Sequence, residues 1–229
     1  MKTIILHFIL ASITAIASVV AYLGWRATKY SEDVKRGFFL FFFFFIGYHL
    51  SLVFPFLIFG ANLRAIAWGY IVAIIFIFLL LVPIWRIVLN RLFGLSIKKI
   101  NFIITLLLLA GLLVTIIEIY DFRLPIFDES GFIFWNANII AALITSFSAA
   151  ILETVSIFYL IKNWPSNLST FKKIKTALFM FGLMMFIIAC IYFLAFNLTM
   201  VITAFVTVSL GTLSFLITLL IRDQTELTQ

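Results

Sequence analysis

The chain has 229 residues, of which 65% are hydrophobic and 11% charged, with a mean hydropathy of +1.26. Soluble domains carry roughly a quarter charged residues, so this composition cannot coat a water-exposed surface and implies an integral membrane protein with no room for a soluble catalytic or DNA-binding domain. The net charge of +7 is divided into small basic groups between apolar segments, the pattern of topology determinants, which argues against a nucleic-acid partner.

Seven apolar segments long enough to cross a roughly 30 Å hydrocarbon layer follow one another at about 4–25, 38–59, 65–85, 102–120, 137–161, 176–196 and 200–221. The expected fold is therefore all-α: a single seven-helix transmembrane bundle over 1–229, with the lipid bilayer as its first partner. Lys2, the apolar run after it and Ala15-Ile16-Ala17 resemble a signal peptide, but no polar mature segment follows Ala17, so an uncleaved first helix is expected.

Loop charges set the orientation. Arg26, Lys29, Lys35 and Arg36 follow the first segment; Arg86, Arg91, Lys98 and Lys99 the third; Lys162, Lys172, Lys173 and Lys175 the fifth; and Arg222 the last. The opposite side holds only Lys2, Arg64 and Arg123. The positive-inside rule predicts an outside N-terminus and a cytoplasmic C-terminus in a cell membrane, with a prokaryotic inner or plasma membrane as the expected location.

The second segment opens on eight consecutive Phe or Leu residues, 38–45, which read as lipid-facing or buried in protein rather than as a cofactor box. Pro55 in this segment and Pro83 in the third each free a backbone carbonyl and are expected to kink their helices. The fourth segment places Gly111, Thr115 and Glu118 along one face. The longest outer loop then runs to Trp135 and is acidic and aromatic, with Tyr120, Asp121, Phe122, Arg123, Phe127, Asp128, Glu129, Phe132 and Phe134. An aromatic belt at the headgroups is the expected reading, with a lid over an outer pocket as the alternative.

The fifth segment is the one membrane-length segment with a charge deep inside it, Glu153. Ala141, Thr145, Ala149 and Glu153 fall four apart, as do Ala142, Ser146, Ala150 and Thr154, so the helix presents ridges of small residues that other backbones can approach. It is expected to be the central helix. In the cytoplasmic loop that follows, Trp164-Pro165-Ser166-Asn167 and the lysines after it suit an anionic membrane surface, and the glycosylation pattern Asn167-Leu168-Ser169 is discounted because it lies inside. Segments six and seven, joined around Asn197, are expected to be antiparallel neighbours. The stripe Thr203, Thr207, Gly211, Ser214 and Thr218 on segment seven is expected to face inward, against segment five.

An ionisable residue inside a membrane helix costs several kcal/mol if unpaired and usually faces the bundle interior or a wet cavity. Glu153 and His49 have similar expected depths from the cytoplasmic side, roughly 12 and 16 Å, so the two meet if segments two and five are neighbours. The candidate polar centre is Glu153, His49, Ser146 and Thr207, with Glu118, Asp121 and Trp135 at an outer entrance. The bland alternative for Glu153 is a protonated carboxyl bonded to a nearby serine or tyrosine, and His7 reads as an interfacial residue. No cofactor and no metal are expected: no lysine lies in a membrane interior, His7 and His49 have different expected depths, HExxH is absent, and no histidine follows His49. Cys190, the single cysteine, forms no disulfide or cysteine zinc site within the chain. No helix carries a row of voltage-sensing arginines, and catalysis is not expected.

Tyr22-Leu23-Gly24-Trp25-Arg26 through Lys35-Arg36-Gly37-Phe38-Phe39-Leu40, with Gly47-Tyr48 further on, resembles the first inner loop and second helix of the seven-helix membrane sensor region of bacterial histidine kinases. The resemblance implies a non-enzymatic sensor or receptor-like module for a small or lipidic ligand. No kinase or cyclase domain follows Ile221, so output is expected to pass to a separate protein partner at the cytoplasmic loops. The alternatives are a transporter, with Glu153 as a proton or cation site, and a structural subunit of a larger membrane complex. No internal repeat supports the transporter.

Overall fold

The computed structural model describes residues 2–27, 32–129, 131–162, 170–189 and 198–220. Lys29, the loop from Trp164 to Ser169, Cys190, Asn197 and Arg222 lie outside the described residues. Among those described there are seven helices: α1 (Lys2–Ala27), α2 (Glu32–Phe59), α3 (Leu63–Arg91), α4 (Ile97–Tyr120), α5 (Ile139–Lys162), α6 (Thr170–Ala189) and α7 (Leu198–Leu220). All except α6 are long and apolar enough to cross a membrane. Over its described length α6 carries Lys172, Lys173 and Lys175 in its first two turns, which keeps it out of that set. The outward faces are hydrocarbon: Phe147, Leu57 and Phe102 are each more than 60% exposed, a surface suited to lipid rather than water.

Helix ends differ from the apolar segments for a physical reason. Hydropathy marks the hydrocarbon-depth part of a helix, while hydrogen bonding continues to the headgroups. Thus α3 runs on through Arg86 to Arg91, and α4 begins before Lys98 and Lys99. Conversely, α5 begins two residues late because Asn138 caps it, its Oδ1 accepting from the N–H groups of Ile140 (2.8 Å) and Ala141 (3.4 Å).

The central helix is α3, with 15 buried residues against six on α5, which corrects the expectation for segment five. Small residues do bring helices together, but they are glycines on α2, α3, α4, α6 and α7. Pro55 cannot donate to the Ser51 carbonyl, and α3 packs against α2 at that point. Gly69 sits there, where a Cβ would collide with the Ser51 carbonyl oxygen and the Pro55 ring. Both α2 and α3 continue as helices through their prolines. Among the described residues α7 packs chiefly against α6 and α1 rather than α5. Ser214 donates to the Leu178 carbonyl at 2.6 Å, and a Cβ on Gly211 would lie 3.2 Å from the Gly182 oxygen. The α5 ridge instead meets α4, α6 and, more lightly, α3.

Contacts gather the two sets of helix ends. At one end, Lys2 N–H donates to the Gly131 carbonyl, and the Trp68 ring lies 5.5 Å from that of Phe122. At the other, Arg86 bonds Asn101, and Phe93 meets Tyr159 on α5. The loop of 121–138 forms a short antiparallel hairpin, β1 (Ile126–Phe127) with β2 (Ile133–Phe134). Phe132, Ile133 and Trp135 are buried, whereas Tyr120 and Ile126 remain exposed. The second half of the loop therefore packs onto the bundle instead of forming the expected aromatic belt. The Thr3 hydroxyl, itself buried, accepts the Ile133 N–H at 2.8 Å. Thr3→Val keeps the shape and strands that N–H, so we expect a loss of about 1 kcal/mol and faster amide exchange at Ile133. Unchanged exchange there contradicts the role assigned to Thr3.

Candidate functional site

Six of the seven helices converge on one cavity of about 90 Å³; α4 contributes no wall residue among those described. The wall is mostly hydrocarbon and aromatic, including Leu80 and Leu81 from α3, Phe186 from α6 and Phe205 from α7. Four side chains with ionisable groups line it: His7, Tyr48, His49 and Glu153. Part of the Phe-rich run serves here. Phe41 and Phe45 share a face with His49, four residues apart, and line the cavity, while Phe43 points to lipid.

The histidines correct the expectation most sharply. His7 is 1% exposed, not interfacial, and its Nδ1 lies 2.9 Å from Nδ1 of His49. The separate depths assigned to the two rings are therefore overturned. An Nδ1···Nδ1 contact needs one ring to donate and the other to accept, so the pair holds opposite tautomers whenever both rings are neutral. Tyr48, Phe45, Phe205 and Trp135 surround the pair. His49 Nε2 is buried and has no hydrogen-bond partner among the described residues.

Glu153 lines the same cavity from α5. The residue as a whole is half-buried, but its Oε2 is enclosed and has no partner among the described residues, so the serine or tyrosine partner of the bland reading is absent there. His49 and Glu153 share the cavity wall without a hydrogen bond or ion pair, because α2 and α5 are not packed neighbours. Double-mutant cycles separate these relations. We expect His7→Phe and His49→Phe to couple by about 1 kcal/mol, and His49→Gln with Glu153→Gln to add within roughly 0.5 kcal/mol. Additivity of the histidine pair contradicts the contact.

Ser146 and Thr207 do not line the cavity. Ser146 shares a helix face with Glu153 but sits two turns nearer the N-terminal end of α5. Thr207 is satisfied within α7, donating toward the carbonyls of Thr203 (2.9 Å) and Ala204 (3.0 Å). Of the three entrance candidates, Glu118 and Asp121 come together, as a latch on the chain entering α5. Glu118 is buried and accepts the Asn138 N–H at 3.1 Å. Asp121 accepts from Asn138 Nδ2 at 2.7 Å and pairs with Arg123, and hydrogen bonds from Arg123 and then Asn138 hold its carboxyl below the usual aspartate range. Three residues before Asn138, Trp135 stacks on Tyr70 (5.3 Å, 10°) and lies 6.3 Å from His7. Trp135 thus packs beside His7 without lining the cavity itself.

Sequence reasoning missed His7, although a signal exists. Thr3, His7, Thr14 and Ser18 are all buried and recur at helical spacing on one face of α1, while Ile5, Phe8, Ile9 and Ile16 are exposed.

These features define a class: a helical membrane protein, suited by six of its helices to crossing the bilayer repeatedly, with an apolar internal cavity and a buried polar centre. Comparison with protein-family models, curated proteins and solved structures finds no match to the chain.

Proposed function

We propose that this chain is a non-enzymatic membrane sensor or receptor-like module that holds a small, largely apolar ligand in the cavity lined by the histidine pair and Glu153. The observation carrying this reading is the pair of buried, unpartnered polar atoms, His49 Nε2 and Glu153 Oε2, on helices that are not packed neighbours but line one hydrocarbon-walled space. Leaving such atoms unsatisfied costs roughly 1–3 kcal/mol each. A ligand with one polar group and an apolar body recovers part of that cost and gains contact with six helices at once. Its binding free energy then favours one arrangement of those helices over another, as a sensor requires.

In this reading the chain is a seven-span bundle with its N-terminus outside and its C-terminus in the cytoplasm of a prokaryotic inner or plasma membrane. The basic loops meet a separate protein partner, in keeping with the resemblance to kinase sensor regions. Trp135 and its hairpin cover the outer approach.

A second reading rests on the His7–His49 contact. Two imidazoles in direct hydrogen bond can pass a proton, and with Glu153 lining the same cavity they would form a relay in a transporter. Reconstitution into liposomes with an imposed pH gradient separates the two. The sensor reading expects no proton flux above that of protein-free liposomes. Flux that disappears in Glu153→Gln overturns it in favour of the transporter.

A further inference from the structure

A second site lies at the opposite end of α2 and α3, away from the hairpin. The start of α2, the end of α3 and the start of α4 enclose a groove of about 640 Å³. Its mouth carries Arg36, Arg86 and Arg91, with Asn90 and Asn101 beside them, and no acidic side chain among the described residues lines it. Arg86 donates to Asn101 Oδ1 at 3.2 Å through one of its five N–H donors, and its side chain stays solvent-exposed. Below this rim the wall is apolar: Leu40 and Phe44 from α2, Leu79 and Val82 from α3, and Leu108 from α4.

The dimensions match one leaflet. Phe44 is two helical turns in from Arg36, and Leu108 is three turns in from Ile97, which is roughly 12 to 16 Å of depth at 1.5 Å per residue. Half of a hydrocarbon layer of about 30 Å is about 15 Å. The groove therefore offers a cationic head site at headgroup level, continuous with an apolar channel as long as the acyl region of the same leaflet. Basic pockets between membrane helices select anionic headgroups on electrostatic grounds, and guanidinium groups suit the phosphate geometrically.

We infer that this groove is a binding site for one anionic glycerophospholipid, its phosphate held by Arg36, Arg86 and Arg91 and an acyl chain lying along Leu40, Phe44, Val82 and Leu108. The site is separate from the histidine–glutamate cavity: no residue lines both.

The test uses the full chain, delipidated in detergent and titrated in native mass spectrometry with dioleoylphosphatidylglycerol, dioleoylphosphatidylcholine or glycerol phosphate. The inference predicts a one-to-one phosphatidylglycerol complex at least tenfold tighter than that with phosphatidylcholine, and no competition from glycerol phosphate. The triple variant Arg36→Gln, Arg86→Gln, Arg91→Gln should bind phosphatidylglycerol on the order of 100-fold more weakly. Val82→Trp, which fills the channel without changing charge, should also lose the complex, and it supplies a readout if the triple variant does not fold. Equal binding of the two lipids overturns the inference. So does displacement by glycerol phosphate, which would assign the arginines to a free anion, or undiminished binding in a folded variant.

Discussion

Glu153→Met is expected to yield a bundle that is more stable than the natural one and no longer retains a ligand. Methionine has nearly the length of glutamate, fits irregular apolar space and leaves no polar atom to satisfy. Around position 153 the wall includes Ala149, Leu152, Leu183 and Phe186. Removing an enclosed oxygen that has no partner among the described residues should stabilise the protein by about 1–3 kcal/mol, read as a higher thermal midpoint in detergent. Glu153→Gln, which keeps the polarity and the shape, should change the midpoint little. A gain of stability with a loss of binding is the signature of a residue kept for function at a cost to the fold. If Glu153→Met instead lowers the midpoint, the carboxyl holds the helices together, and its functional role falls.

Gly69→Val is expected to have the largest structural effect of any single change considered. The collision is with a backbone carbonyl and a proline ring, neither of which can swing aside as the end of a flexible side chain can. Tight packing passes the displacement to the α2–α3 contact, the most extensive between helices here, so the loss should reach roughly 3 kcal/mol or more. Gly69→Ala should lie between this and the natural protein. The check is the yield of monodisperse protein after extraction, with the thermal midpoint of what remains. An unchanged midpoint for Gly69→Val contradicts the close approach at Ser51 and Pro55. By moving α2 against α3, the same change should also disturb the cavity wall formed by Phe45, His49, Ile77 and Leu80.

The helices were legible in the sequence because their signal is local. A run of apolar residues with charges at its ends needs no knowledge of the rest of the chain. Which helix packs on which was not legible in the same way. The small-residue ridges of α5 suggested the centre, but close helix approaches formed at single glycines opposite a freed carbonyl or a phenylalanine ring, such as Gly69 at Ser51 and Gly111 at Phe78. Whether a ridge is used depends on a partner elsewhere in the chain.

The site divides along the same line. Glu153 could be singled out because a charge within an apolar run is conspicuous on its own. His7 lies six residues into the chain's first helix, where an interfacial reading is natural, and only its pairing with a residue 42 positions away reveals it as interior. Ser146 and Thr207 carry hydroxyls, which can be satisfied by the helix's own carbonyls, as Thr207 shows, so helical spacing alone cannot distinguish a stripe facing a cavity from one facing a neighbour. Trp135 was placed near the entrance for its position in an aromatic loop, but its burial follows from the hairpin register and from the grip of Glu118 and Asp121 on Asn138. That grip joins α4 to the start of α5 across 20 residues of sequence.

The cavity reading is tested most directly by native mass spectrometry of the protein extracted gently from its own membranes, compared with Glu153→Met prepared identically. A single small molecule bound stoichiometrically to the natural chain, and missing from the variant, is the predicted result. A fixed complex with other proteins and no small molecule on this chain would contradict it, and would make the protein a subunit whose activity belongs to its partners.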